Sequence, residues 1–132
     1  MPLHLNWIAV LVAALAGFAV GGIWYGPLFG KAWMRESGVT MDRARAVNMP
    51  KLYGTVLILN LIAAGSLAMF IGPAGTWRFG LFAGFMTGLT FVATALGVIY
   101  LFESRGLRLW LINAGYQIVI FSLMGTILGA WH

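Results

Sequence analysis

Cysteine is absent from this sequence. That excludes a disulfide framework, a thiolate metal site and a cysteine nucleophile, and it says nothing about redox compartment. Acid is nearly absent as well: Glu36, Asp42 and Glu103 are the three carboxylates in 132 residues. Both histidines, His4 and His132, lie at the ends of the chain, so no metal site is expected. Catalysis needs acids, bases or nucleophiles that converge in a pocket. With so few of them, and threonines that have no neighbouring base, the chain is read as not an enzyme, and no cofactor is expected.

Charge of either sign is scarce. Charged residues make up 8% of the chain against 61% hydrophobic ones, and the mean hydropathy is +0.93. A water-soluble surface cannot be built from that composition. What is present in quantity is long apolar runs: Ile8 to Ile23, Leu52 to Ile71, Phe79 to Phe102 and Leu109 to Trp131. At about 1.5 Å per helical residue each approaches or exceeds a hydrocarbon core of roughly 30 Å. The expected fold is therefore all-α, a polytopic membrane protein with four transmembrane helices in a bundle. As one domain, 1-132, it would place helices at about 5-26, 51-72, 78-102 and 108-131, with an amphipathic helical connection at 27-50.

Seven of the eight basic residues fall in two places. Lys31, Arg35, Arg43, Arg45 and Lys51 lie in or beside the first connection, and Arg105 and Arg108 in the third; Arg78 alone belongs to the other side. The positive-inside rule then puts the first and third connections in the cytoplasm and both termini outside. Placed this way the net charge of +5 reads as topology, and no nucleic-acid partner is expected. Ala14-Leu15-Ala16 imitates a signal-peptidase site, but no basic segment precedes the apolar run, so the first helix is expected to be retained.

The first run closes on GIWYGPLFGKAW, residues 22–33. Trp24 and Tyr25 fall at headgroup level, with Trp7 at the opposite face, as amphipathic rings do. Gly26-Pro27 is expected to stop the helix, because proline has no N–H to donate and disfavours helical geometry in the residue before it. An interfacial anchor and a binding site both remain open readings. Gly22, Trp24, Tyr25, Pro27, Phe29, Gly30 and Trp33, together with LFESRGLRLWLINAGYQ at residues 101–117, resemble an uncharacterised bacterial four-helix integral membrane family, a domain of unknown function. The resemblance covers nearly the whole chain. It implies the four-helix fold and a bacterial inner membrane location, and brings no activity and no catalytic residue.

Past the stop, Phe29 and Trp33 are four apart and share a helical face, and Gly38 suits a C-cap. Thr40 is a candidate cap for a second turn that includes Asp42, Arg43 and Arg45. The connection reads as a segment lying on the inner leaflet with its rings down and Lys31 and Arg35 near headgroups. Its partners would be membrane lipids, including anionic ones, or a protein docked on residues 27-50.

Within the runs, Gly17 and Gly21, Gly22 and Gly26, Gly80, Gly84 and Gly88, and Gly125 and Gly129 recur one helical turn apart. Such faces bring backbones together, inside the bundle or between copies in a homo-oligomer. Asn60, Thr90, Thr94, Asn113 and Gln117 are expected to form a polar layer that faces protein, because an amide in hydrocarbon has no partner. Asn60, Thr94 and Gln117 each lie about 12 to 14 Å from the cytoplasmic ends of their helices. At least one of Asn60 and Gln117 is expected to bond to another helix. Glu103, at a helix C-terminus where the dipole disfavours it, should hold a basic partner among Arg105, Arg108, Arg35 and Lys31, and with Trp24, Tyr25 and Trp33 these form a candidate mouth or headgroup site. Two functions fit: a packing or interaction module in the membrane, lipid-associated or an accessory subunit, and an oligomeric path for a small solute or ion. Oligomeric state in lipid discriminates them.

Overall fold

A computed structural model describes residues 5–39, 48–72 and 75–131. Thr40, Asp42, Arg43, Arg45, Ala74 and both histidines lie outside the described residues. All regular structure in the described residues is helical: α1 (Trp7–Ile23), α2 (Gly30–Ser37), α3 (Met49–Ile71), α4 (Trp77–Thr87), α5 (Ala93–Phe102) and α6 (Leu107–Ala130). Two widened π turns, Trp24–Leu28 after α1 and Gly88–Val92 between α4 and α5, join these into four spans long and apolar enough to cross a membrane. They run Trp7–Leu28, Met49–Ile71, Trp77–Phe102 and Leu107–Ala130.

Local chemistry sets the ends. Asn6 caps α1 by accepting from the Ala9 N–H, Asn48 caps α3 through Lys51, and Thr76 caps α4 through Phe79. Pro50 stands in the first turn of α3, where its missing N–H leaves no bond unmade. Gly38 closes α2 at a φ of 77°, the left-handed cap expected of it. The expected stop at Gly26-Pro27 needs correction. In the π turn the Phe29 N–H reaches back five residues to the Trp24 carbonyl at 2.8 Å. The wider turn carries the helix past the proline, and the chain leaves it at Phe29.

The four spans form a bundle in which the last helix, α6, touches the other three. Its closest partner is α4, and the reason is glycine. A Cβ on Gly80 would overlap the Gly125 backbone, one on Gly84 the Phe121 carbonyl, and one on Gly129 the Thr76 carbonyl. Helix axes approach this closely only where small residues line the contact. Gly80, Gly84, Gly88, Gly125 and Gly129 are thus used up inside one protomer. Gly17 likewise faces Asn60, Ile120 and Met124, and Gly21 faces Tyr116. At the end where the termini lie, a dry core of Ala9, Ala13, Ala14, Ala64, Leu67 and Met124 joins α1, α3 and α6.

The outside of the bundle is more apolar than water tolerates. Phe70, Phe91, Leu101 and Phe102 are 82%, 72%, 80% and 88% exposed. Such a surface belongs in hydrocarbon. The backbone seam makes a prediction. Gly84→Val is expected to cost at least about 2 kcal/mol through overpacking and to destroy the monodisperse, heat-resistant peak in fluorescence-detected size exclusion. Gly65→Ala, which meets open space, should hold or raise the melting midpoint. Equal midpoints for the two variants would sink the seam.

Candidate functional site

Trp24 and Tyr25 are consecutive residues in the first π turn, and both are half-buried. Trp24 Nε1 donates to the Ile112 carbonyl at 3.0 Å. The Tyr25 hydroxyl donates to Asn113 Oδ1 at 2.6 Å, and Asn113 Nδ2 donates to the Tyr100 hydroxyl at 2.6 Å. One carboxamide therefore ties the first, third and fourth spans together. Trp110 Nε1 adds a bond to the Ala93 carbonyl at 2.9 Å. Anchoring at the water interface, as read from sequence for Trp24 and Tyr25, is only part of the role of these rings: Trp24 and Tyr25 turn their donors inward to acceptors on the fourth span, and Trp110 turns its own to one on the third.

Around these bonds the rings collect. Tyr25 stands edge-on to Tyr116 at 5.1 Å and to Trp33 at 5.8 Å, and Trp24 lies 4.7 Å from Phe29. Trp33 is accordingly half-buried against protein. Small residues make the room. A Cβ on Gly21 would sit 3.0 Å from the Tyr116 hydroxyl, and one on Gly115 would sit 3.2 Å from the Trp24 ring. Both segments singled out in the sequence, residues 22–33 and 101–117, thus meet in one cluster.

Beside the cluster, between the first, second and fourth spans, lies a cavity of about 700 Å³. Its walls are aromatic, from Phe18, Tyr25, Tyr53, Tyr116 and Phe121, with Phe18 edge-on to Tyr53 at 5.6 Å. Gly22 and Gly26 line it, and a Cβ on either would meet nothing within 4 Å. Asn60 and Gln117 also line it. Among the described residues no Lys, Arg, Asp or Glu does.

The expected polar layer comes apart on inspection. Asn60 does face the bundle, 8% exposed, and its Nδ2 would lie 3.5 Å from a Cβ on Gly17. Gln117 is half-buried on the cavity wall. Neither bonds to another helix, which corrects that expectation: Asn60 Nδ2 has no partner, and Gln117 has none among the described residues. Thr90 and Thr94 are exposed on the outside of the bundle. Each hydroxyl donates to a carbonyl one turn earlier, Met86 and Thr90 respectively, so neither threonine needs a protein neighbour. Asn113 is the amide that does the interhelical bonding.

At the end bearing the first and third connections, Glu103 pairs with Arg105 at 2.8 Å, and Arg105 lies over the Tyr100 ring, 5.6 Å from its centroid. Arg108 instead approaches Glu36 at 3.9 Å, and Arg35 approaches the same carboxylate at 3.7 Å. Glu36 is thus the acid that joins the two connections, and sequence reasoning did not single it out. Lys31 is exposed. These pairs are solvent-accessible and each contributes little, about 0 to 1 kcal/mol. No group of three or more acids or histidines among the described residues could hold a metal. Tyr116, which packs against Trp24, Tyr25 and the Gly21 face, was legible only as a phenol set in the middle of an apolar run.

The chain belongs to the family described as protein of unknown function (DUF1761), whose match spans residues 8–129 and so takes in every element of the cavity and its cluster. No curated protein and no solved structure matches it. The amide tie is testable by a double-mutant cycle. Tyr25→Phe and Asn113→Leu should each lower stability in detergent, and their coupling should fall at about 0.6 to 1.7 kcal/mol. Strictly additive effects would remove the bond from the account.

Proposed function

We propose that the protein is an integral-membrane interaction module that works by binding, holding one membrane-soluble molecule in the cavity between its first, second and fourth spans. The observation that carries the reading is the cavity itself. A volume of about 700 Å³ with aromatic walls and a few polar groups has the size and lining of a small-molecule site. The rest of the bundle supports binding over permeation. Toward the termini the cavity gives way to Ala9, Ala13, Ala14 and Met124, all 0% exposed, and such packing leaves no room for a solute. The long glycine face of the third span and the Gly125 and Gly129 pair, which a permeating oligomer would use as interfaces, are engaged within the protomer.

In this proposal the first and third connections face the cytoplasm of a bacterial inner membrane, on the strength of the seven-to-one distribution of basic residues. Lys31, Arg35, Lys51 and Arg108 then surround the bundle at the level of anionic headgroups, each contributing about 1 kcal/mol of attraction. Residues 27-50 remain the surface for any protein partner. The protein performs no reaction of its own.

Two measurements test this. Protein extracted into nanodiscs and analysed by solvent extraction and mass spectrometry should retain a membrane-soluble molecule in stoichiometric amount, and Gly22→Phe, whose ring enters the cavity, should lose it while Gly65→Ala keeps it. A retained pool that ignores Gly22→Phe would refute the cavity as the site. For orientation, Ser37→Cys should react only with a thiol reagent that reaches the cytoplasm and Ala130→Cys with one confined outside. The reverse pattern would invert the topology.

A further inference from the structure

Hydrocarbon makes every unpaired polar group conspicuous. In the described spans, the half-buried and buried polar side chains are nearly all satisfied. Thr87, Ser122 and Thr126 donate to carbonyls one turn back, and Trp24, Tyr25, Tyr100, Trp110 and Asn113 bond between helices. Three are not: Asn60, Tyr116 and Gln117 have no hydrogen-bond partner among the described residues. All three line the same cavity. Asn60 is more than nine-tenths buried on the cavity wall, and its Nδ2, enclosed against Gly17, is left unbonded at a cost that a turn of the carboxamide toward the cavity would remove once an acceptor stood there.

We infer that this cavity takes a neutral, lipid-tailed ring compound carrying carbonyl oxygens, the quinone class, with Asn60, Tyr116 and Gln117 donating to its oxygens. The inference rests on the binding reading above and names its ligand. Each part of the site contributes a constraint. Two carboxamides and a phenol offer three donor groups, which suits a molecule with acceptors on more than one edge. Among the described residues the lining carries no charge, which suits a neutral head, since an ion beside it would find no counter-charge there. Phe18, Tyr53, Tyr25, Tyr116 and Phe121 form walls whose edge-on ring pairs leave faces for a flat ring. The hydrocarbon chain of a phospholipid or fatty alcohol would fill the same volume and leave the three donors unmet. The carboxamides can also accept, so a reduced, dihydroxy form of the ring fits the same groups with the donors reversed.

The probe is decylubiquinone, titrated into the protein in nanodiscs, with tryptophan quenching read against native mass spectrometry for stoichiometry. Phosphatidylglycerol and oleyl alcohol serve as competitors. Saturable one-to-one retention is expected, resistant to both competitors. Asn60→Leu and Tyr116→Phe should each weaken it by about fivefold, the factor one lost hydrogen bond produces, and Gly22→Phe should abolish it. Tyr116→Phe keeps the ring and its packing, so it reads the hydroxyl alone. Non-saturable quenching in the wild type, or retention that neither Asn60→Leu nor Tyr116→Phe changes, overturns the assignment. Displacement of the probe by phosphatidylglycerol overturns the quinone class too. A Gly22-dependent molecule that is retained but is not a ring compound does the same, while leaving the broader binding reading intact.

Discussion

A hydrogen-bonding group in hydrocarbon has no water to turn to, so each one must find its partner inside the protein. That constraint accounts for most of the local structure. The first π turn exists because Pro27 brings no N–H, and a five-residue reach from Phe29 to Trp24 keeps the backbone bonded on either side of it. The threonines on the lipid face turn their hydroxyls back on the preceding helical turn. Where the side chain is too rigid to bond to its own helix, as with the indoles and phenols, it crosses to a neighbour: Trp24 to Ile112, Trp110 to Ala93, Tyr25 through Asn113 to Tyr100.

Those crossings need α6 at a fixed depth and rotation, and the glycine seam provides both. With Gly80 and Gly84 against Gly125 and Phe121, α4 and α6 touch backbone to backbone, and neither can slide or turn without a Cβ meeting a carbonyl. Dispersion over that long contact replaces the hydrophobic drive that lipid removes. Once α6 is held, Asn113 faces Tyr25 and Tyr100, and Tyr116 and Gln117 face the cavity. Packing at one edge of the bundle thus sets the chemistry at the other.

How much of this the sequence disclosed depended on whether the signal was local. Span number, the helical first connection and the Gly38 cap follow from hydropathy, spacing and one residue's backbone preference, and they stand. The glycine repeats disclosed a close-packed face but not its partner, because a repeat on one helix carries no record of what it meets. The polar residues were hardest. Thr94 and Asn60 lie at similar depth, yet one faces lipid and the other the core, and rotation about a helix axis is invisible in a run apolar on every side. Asn113 and Gln117 are four residues apart on α6, and the positions of Tyr25 and Tyr100 decide that the first is bonded.

The cavity itself follows from the order of residue sizes along two helices. Near the termini α1 presents Ala9, Ala13 and Ala14 to Ala64 and Leu67 of α3, and small side chains let the two close on Met124 without a void. Further along, the pair carries Phe18, Tyr25 and Tyr53 on the cavity wall, with the rings of Phe18 and Tyr53 edge-on to each other between α1 and α3. Gly22 and Gly26 fall between those rings and fill none of the gap. A wedge of this form is closed at the apex by alanine and propped open at the base by aromatics. On the binding proposal, a cavity walled by three spans and closed on the side of the termini would be filled from the bilayer. Such a route would favour an apolar ligand over any aqueous solute, and in that proposal the unbonded side chains of Asn60, Tyr116 and Gln117 would select among apolar ligands by the oxygens they carry.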